Sequence, residues 1–351
     1  MVWRGGTSAN RFRVLNAILR ALLRAVRGVA RRFPAFQKRR YDLFNQEVFS
    51  GLDWHERMLA DTVRMESYRR GISSAVKRGD VVIDLGTGTG VLASFAARAG
   101  ARMVYAIDHS GFIAVATHIA DHNGIRNITF VQKNSRDFVC PEPADLIIHE
   151  QMGHTIFEEN MIQNLLDLKR RALKPGGRIL PGRFELVATP VALKDEYLKP
   201  FLWQIDVPGF DVAFLEKHEC LTQYRTQEHR QRLLKGFEVE SFLAPSRSLL
   251  SFDLNDITSE SELAVTHDVC WDIDTDGTVG GICFHFRTRF FDGTTFDTSP
   301  FNRQTNWENA LIRTTRIPVV AGDALSHTIR VDPLTNWSRW QVMNHATASR
   351  A

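Results

Sequence analysis

Glu150 and Glu159 stand nine positions apart, bracketing the segment Gln151-Met152-Gly153-His154-Thr155-Ile156-Phe157-Glu158. The segment follows the apolar run Asp145-Leu146-Ile147-Ile148 and leads into a helical pattern over residues 160–173. In an open α/β sheet, ligands bind outside the carboxyl ends of the strands, so a strand ending in Glu150 delivers a carboxylate to the reaction site. Glu159 is close enough in sequence to fold back beside it. Two carboxylates in one place suit a fork-shaped, delocalised cation, because a guanidinium offers parallel N–H donors that carboxylate oxygens accept in pairs. The chemistry implied is recognition of arginine, or of something built like it. A plainer reading applies to the same residues: acids in a first helical turn are favoured by the helix macrodipole, which would make Glu158 and Glu159 stabilisers of the following helix.

Something must supply what the carboxylates act with, and the preceding residues describe it. Val81-Val82-Ile83-Asp84-Leu85 reads as a buried strand running into the turn Gly86-Thr87-Gly88-Thr89-Gly90, with a helix from Val91 onwards. Glycines there let the backbone turn tightly and approach a ligand. A second strand, Met103-Val104-Tyr105-Ala106-Ile107-Asp108, ends in an acid placed to accept hydrogen bonds from ribose hydroxyls. Residues 88–93 also match the loose dinucleotide fingerprint, so a nicotinamide enzyme is a rival. Asp84 separates the two readings, because an acid before the first glycine opposes a pyrophosphate and suits the cationic end of S-adenosylmethionine. A third strand over Ile128-Thr129-Phe130-Val131 precedes Asp137, a candidate acceptor for an adenine amino group and equally a turn-capping acid.

The positioning elements alternate strand and helix up to about residue 185, which predicts an α/β fold with a parallel sheet. Beyond it, alternating segments at 281–290 and 327–331 predict β-strands. The 351 residues are enough for two domains and a sizeable core. Residues 1–40 hold eleven of the 44 Lys and Arg and none of the 40 Asp and Glu, so this extension is +11 and the remainder −7. Its leucines and arginines fall on different sides of a helix. Such a basic amphipathic helix suits an anionic membrane surface, nucleic acid or a transit peptide, and equally a flap packed on its own protein. The four cysteines, scattered without a Cys-x-x-Cys pair, predict a reducing, cytoplasmic setting and no zinc site. No metal is called for.

Taken together, these motifs resemble those of the protein arginine methyltransferases, from about Tyr41 to the C terminus. The block His55-Glu56-Arg57-Met58-Leu59-Ala60-Asp61-Thr62-Val63-Arg64 resembles the family's helix over the cofactor; Asp84 to Gly90 with Asp108 resembles its cofactor motifs; residues 150–159 resemble its double-Glu loop. The resemblance implies a Rossmann-like class I methyltransferase domain (41–185), then a β-barrel-like substrate domain (186–351) with a helical dimerisation arm at about 195–235. It implies S-adenosylmethionine as cofactor, held by His55, Arg64, Asp84, Gly86, Gly88, Gly90, Asp108 and Asp137, with Arg64 on the methionine carboxylate. Glu150, Glu159 and Asp61 would be catalytic, Asp61 by positioning the site or accepting a proton. Met58, Met152 and Phe49 would border the acceptor nitrogen, the methionines leaning towards asymmetric dimethylation. The implied partners are a protein or peptide arginine and a second copy of the chain.

Departures from the family pattern concern the acceptor side. Asn45, Gln46 and Phe49 fall where paired tyrosines belong, Gln151 replaces a usual tryptophan, and Pro300-Phe301-Asn302 falls where the family has Thr-His-Trp if Gln304-Thr305 is the anchor. Two further readings stay open: methylation of a small amine, free guanidine or natural-product peptide, and a non-catalytic scaffold attached through residues 1–40.

Overall fold

The computed structural model describes residues 51–224, 230–263, 265–332 and 337–344. The basic extension, Phe49 and the tyrosine-equivalent positions lie outside the described residues. Two helices come first, α1 (Leu52–Ala60) and α2 (Thr62–Ala75). A sheet then builds from β1 (Val81–Leu85), α3 (Val91–Arg98), β2 (Met103–Asp108), α4 (Ile113–His122), β3 (Ile128–Gln132), β4 (Ala144–His149), α5 (Met161–Ala172) and β5 (Leu173–Leu180). Its order is β3-β2-β1-β4-β5, and every pairing is parallel. β1 is buried along its whole length, because helices cover both faces of such a sheet and only an uninterrupted apolar strand fits between them. Helix α5 buries Met161, Ile162, Leu165 and Leu168, the spacing of one helical face.

Chain order reverses between β1 and β4, and their register sets Leu85 beside His149. The residues that follow each strand, Gly86 and Glu150, therefore emerge side by side at the switch point, where this architecture leaves a ligand crevice.

From Arg183 the pairing becomes antiparallel. Strands β6 (Arg183–Leu193), β7 (Gln231–Leu234), β8 (Val239–Phe242), β9 (Arg247–Asp253), β12 (Gly281–Arg289), β13 (Thr295–Asp297) and β14 (Asn309–Ile312) form one sheet. Two smaller sheets pair β10 (Thr266–Asp272) with β16 (Ala324–Arg330) and β17 (Gln341–Asn344), and β11 (Gly277–Val279) with β15 (Ile317–Val319). Residues 195–224 between β6 and β7 are helical only in short 3-10 turns, such as Leu202–Gln204 and Ala213–Glu216. Pro200, Pro208 and Gly209 explain this, since they interrupt any longer α-helix.

An aromatic stack ties the two sheets together. Phe157 packs on Phe252 at 6.0 Å and on Trp340 at 6.2 Å; Trp340 meets Phe284 at 5.3 Å, and Phe184 meets both Phe252 and the His149 ring. The carboxylate segment is thereby backed by the antiparallel half of the molecule.

Candidate active site

The glycine turn carries positive φ at Gly86, Gly88 and Gly90. Gly90 caps α3 at φ +76, and a Cβ there would meet Phe130 Cε1 at 3.1 Å and Ala116 at 3.3 Å, so the turn has no room for another residue. Asp108 holds it from below: its carboxylate accepts the Gly88 N–H at 2.9 Å and the Ser110 N–H at 2.8 Å. His55, buried and stacked on Phe112 at 3.7 Å, closes over Gly88. Asp84 is fully buried; one oxygen accepts from Thr87 Oγ1 and the Ala93 N–H, while Oδ1 is buried with no partner among the described residues. Burial pushes its carboxyl up to about 7. A buried acid with an unused oxygen beside a glycine cradle fits the cationic end of the methyl donor. Asp137, in the 3-10 turn Ser135–Asp137, is exposed, at the far rim of the same strand edge.

Glu150 is mostly buried and ion-paired with the Arg64 guanidinium on α2. Arg64 is itself packed beneath Trp307, 5.3 Å from the ring centre. Burial raises Glu150 to about 7 against the pull of Arg64. Glu159 sits in a 3-10 turn at φ +66, not in a helix, and Ile156 (φ +76) and Asn160 (φ +53) share this left-handed geometry. Such backbone costs energy for residues with a Cβ and persists where surrounding structure holds a functional loop. Glu159 thus stands outside the helix proper, immediately before its N-cap Asn160. Burial, then the charges of Glu150 and Glu158, raise Glu159 to about 8, and its carboxylate has no hydrogen-bond partner among the described residues. Glu158 differs, since its carboxylate accepts the Thr155 N–H at 3.0 Å and packs over Gly153, where a Cβ would lie 2.3 Å from the Glu158 Cβ. Glu158 is bound into the loop, whereas the Glu159 carboxylate is not.

Asp61 is placed differently from a free proton acceptor. It caps α2, accepting the Arg64 N–H at 2.9 Å on Oδ1, and accepts the Asn306 N–H at 2.7 Å on Oδ2. Both of its oxygens accept backbone N–H groups. The Asn306 contact shows that a later loop than 300–302 reaches the site. Pro300-Phe301-Asn302 lies off the site, with Phe301 54% exposed and packed on Phe242 at 4.8 Å. The loop that reaches the site is Thr305-Asn306-Trp307: Trp307 Nε1 donates to the Met152 carbonyl at 2.7 Å, and the Glu308 N–H donates to His154 Nδ1 at 2.9 Å. Asn306 is the residue of this loop that bonds to Asp61. Sequence reasoning missed Trp307, although a tryptophan in a polar loop was a visible signal. Met152 is buried beneath this contact and Met58 is half-buried on α1.

The raised carboxyls have a consequence for stability. Asp84, Glu150 and Glu159 hold their protons more tightly folded than unfolded, so the stability they contribute is complete below their ordinary values of 3.8 to 4.5 and is lost as pH climbs through about 7 to 8. Buried His149, lowered from 6.5 to about 4, acts oppositely but only below pH 6.5. The melting temperature of the ligand-free protein is therefore expected to fall between pH 6.5 and 8, with a shallower fall in Glu159→Gln. Equal slopes in both proteins would sink the assignment.

The fold and this site define a class I methyltransferase. A family described as "Methyltransferase domain" matches residues 82–177. Protein arginine N-methyltransferase 6 of Danio rerio is 30% identical over 79% of this chain and 82% of its own length; protein arginine N-methyltransferase 1 of Dictyostelium discoideum is 29% identical over 82% and 84%. Among solved structures, a Trypanosoma brucei PRMT1 enzyme–prozyme heterotetrameric complex with AdoHcy aligns with a TM-score of 0.72 at 24% identity, over 85% of this chain and 95% of that one. The chain belongs to the protein arginine N-methyltransferase family, and its cofactor class is S-adenosylmethionine.

Proposed function

We propose that this enzyme transfers methyl groups to arginine guanidinium nitrogens of a protein or peptide, using Glu150 and Glu159 as the acceptor clamp. The observation that carries the reading is the pair of partly buried carboxylates, Glu150 just after β4 and Glu159 in the turn before α5, of which Arg64 pairs with only the first. A guanidinium stays protonated in proteins, so its nitrogens are poor nucleophiles while the charge is evenly spread. Glu150 and Glu159 draw that charge towards the nitrogens they bind and orient the remaining one. When bound, S-adenosylmethionine supplies an electrophilic methyl group. Arg64, Asp84, Asp108, His55 and the glycine turn would hold it, with Asp137 at the adenine end. Met152 and Met58 would border the acceptor. In this reading residues 41–185 bind the donor and 186–351 the acceptor. Residues 195–235 would pair with a second copy, through exposed Leu202, Ile205, Phe210 and Phe214. The free thiols of Cys140, Cys220, Cys270 and Cys283 suit a cytoplasmic setting.

A small guanidine is the second reading, favoured by the departures from the family pattern on the acceptor side at Asn45, Gln46, Phe49 and Pro300-Phe301-Asn302. Incubation with isotopically labelled S-adenosylmethionine, an arginine-rich peptide and a small guanidine in parallel, followed by mass spectrometry, tests both. Label on peptide arginine is the expected result; label on the small guanidine alone replaces the first reading with the second, and no labelled guanidine of either kind overturns both.

A further inference from the structure

Strands β6 and β12 are antiparallel, and their register sets Arg183 directly opposite Arg289. Directly opposed residues project from the same face of a sheet, so the two arginine side chains leave it as neighbours. The row continues to Asp253 on β9 and Thr295 on β13, which gives one carboxylate for two cations. That carboxylate is committed to Arg183, whose Nε donates to it at 2.9 Å. Arg289 has no acidic partner among the described residues. Two residues along, the equivalent row opposes Glu185 to Arg287, an ion pair at 3.2 Å. The Arg183–Arg289 row breaks that rule, and like charges directly opposite one another destabilise a sheet.

Beside this row lies a cleft of about 270 Å³ lined by Arg183, Arg289, Phe290, Phe291 and Gly293. Phe290 is buried, whereas Phe291 is 42% exposed and carries the Arg178 guanidinium 4.8 Å from its ring centre. The acid of the intervening turn does not neutralise the cleft. Asp292 accepts from the Thr294 N–H at 2.9 Å and hydroxyl at 2.7 Å, and faces Arg70 at 4.0 Å. Neither Glu150 nor Glu159 lines this cavity.

We propose that this cleft binds a phosphoryl group, as inorganic phosphate or on a small phosphate monoester, between the guanidiniums of Arg183 and Arg289. Planar guanidinium forks match phosphate oxygens two at a time, and a dianion placed between two such cations turns their repulsion into attraction. The cleft is larger than the anion alone needs, and Phe291 offers a wall for an attached organic group.

The test titrates the full chain with inorganic phosphate and, separately, phenyl phosphate, at constant ionic strength set with chloride and with S-adenosylhomocysteine saturating. Binding is read by calorimetry and by melting temperature. Because residues 1–40 carry eleven basic residues that also attract anions, the comparison with Arg289→Gln decides. Affinity is expected to fall about tenfold or more in that variant, the size of losing a charge-assisted contact. In chloride alone the variant is expected to melt no lower than the parent, since it removes an unanswered charge. Tighter binding of phenyl phosphate identifies a monoester as the occupant, and equal binding identifies the free anion. No saturable binding, an affinity unchanged in Arg289→Gln, or a lower melting temperature of the variant in chloride overturns the proposal. None of these readings depends on methyl transfer, so the proposal and the catalytic assignment fail separately.

Discussion

Glu159→Gln is expected to lower kcat by about a hundred- to a thousandfold, the range seen when one preorganised electrostatic group is removed from a reaction centre. The binding constant for S-adenosylmethionine is expected to stay as in the parent. The separation follows from the proposed roles, in which Asp84, Asp108, Arg64 and the glycine turn would hold the donor, and Glu159 bonds to none of them. Glutamine keeps the shape and the strained φ of +66 and removes only the charge. It also relieves repulsion with Glu150 and Glu158, which both push Glu159 upward, so the variant should melt no lower than the parent above pH 7. Single-turnover kinetics with labelled donor, beside calorimetric titration of the donor, measure the two quantities. Methyl transfer at the parental rate would show that Glu159 is not part of the acceptor clamp.

Arg64→Ala should produce the largest loss of stability at the site. Removing one partner of a buried ion pair typically costs about 3–5 kcal/mol, because the other charge is left uncompensated. Here the loss is limited by an escape: Glu150, already near 7, takes up a proton once Arg64 is gone. The penalty is therefore expected to be small at pH 6 and to grow towards pH 8. The double variant Arg64→Ala with Glu150→Gln removes the stranded charge and should recover much of that loss, which a double-mutant cycle by chemical denaturation measures. If the pH dependence of Arg64→Ala matches the parent, Arg64 and Glu150 are not coupled. Donor affinity should fall in both variants, since neither retains the guanidinium.

The parallel half of the fold was legible because its information is local. A five-residue apolar strand, a glycine turn and an acid-ended second strand occupy residues 81–108 and need no distant partner to be recognised. Glu150 and Glu159 were legible for the same reason, whereas the backbone geometry that distinguishes Glu159 from Glu158 was not. Adjacent acids look alike in sequence, and only the turn at residues 156–160 binds one of them into the loop and not the other. The contribution of the antiparallel half was the least visible. Trp307 meets Met152 across 155 positions and Asn306 meets Asp61 across 245, and no spacing rule links such residues. The loop that reaches the site is 305–308, not the 300–302 segment that the sequence suggested. The resemblance implied a helical arm at about 195–235, and over 195–224 its prolines limit the helix to short 3-10 turns.

The stitches from residues 303–308 to α2 and the carboxylate loop also set a timetable. Arg303 reaches Thr62, Asn306 reaches Asp61, Trp307 reaches Met152, and Glu308 reaches His154. A nascent chain that has released its whole parallel sheet from the ribosome still lacks the residues that fasten Arg64 and the carboxylate segment. Synthesis must proceed more than a hundred residues beyond β5 before those bonds can form. A chain made only as far as β5 therefore has its parallel sheet but not the bonds that hold Asp61, Met152 and His154, and these wait for residues 303–308.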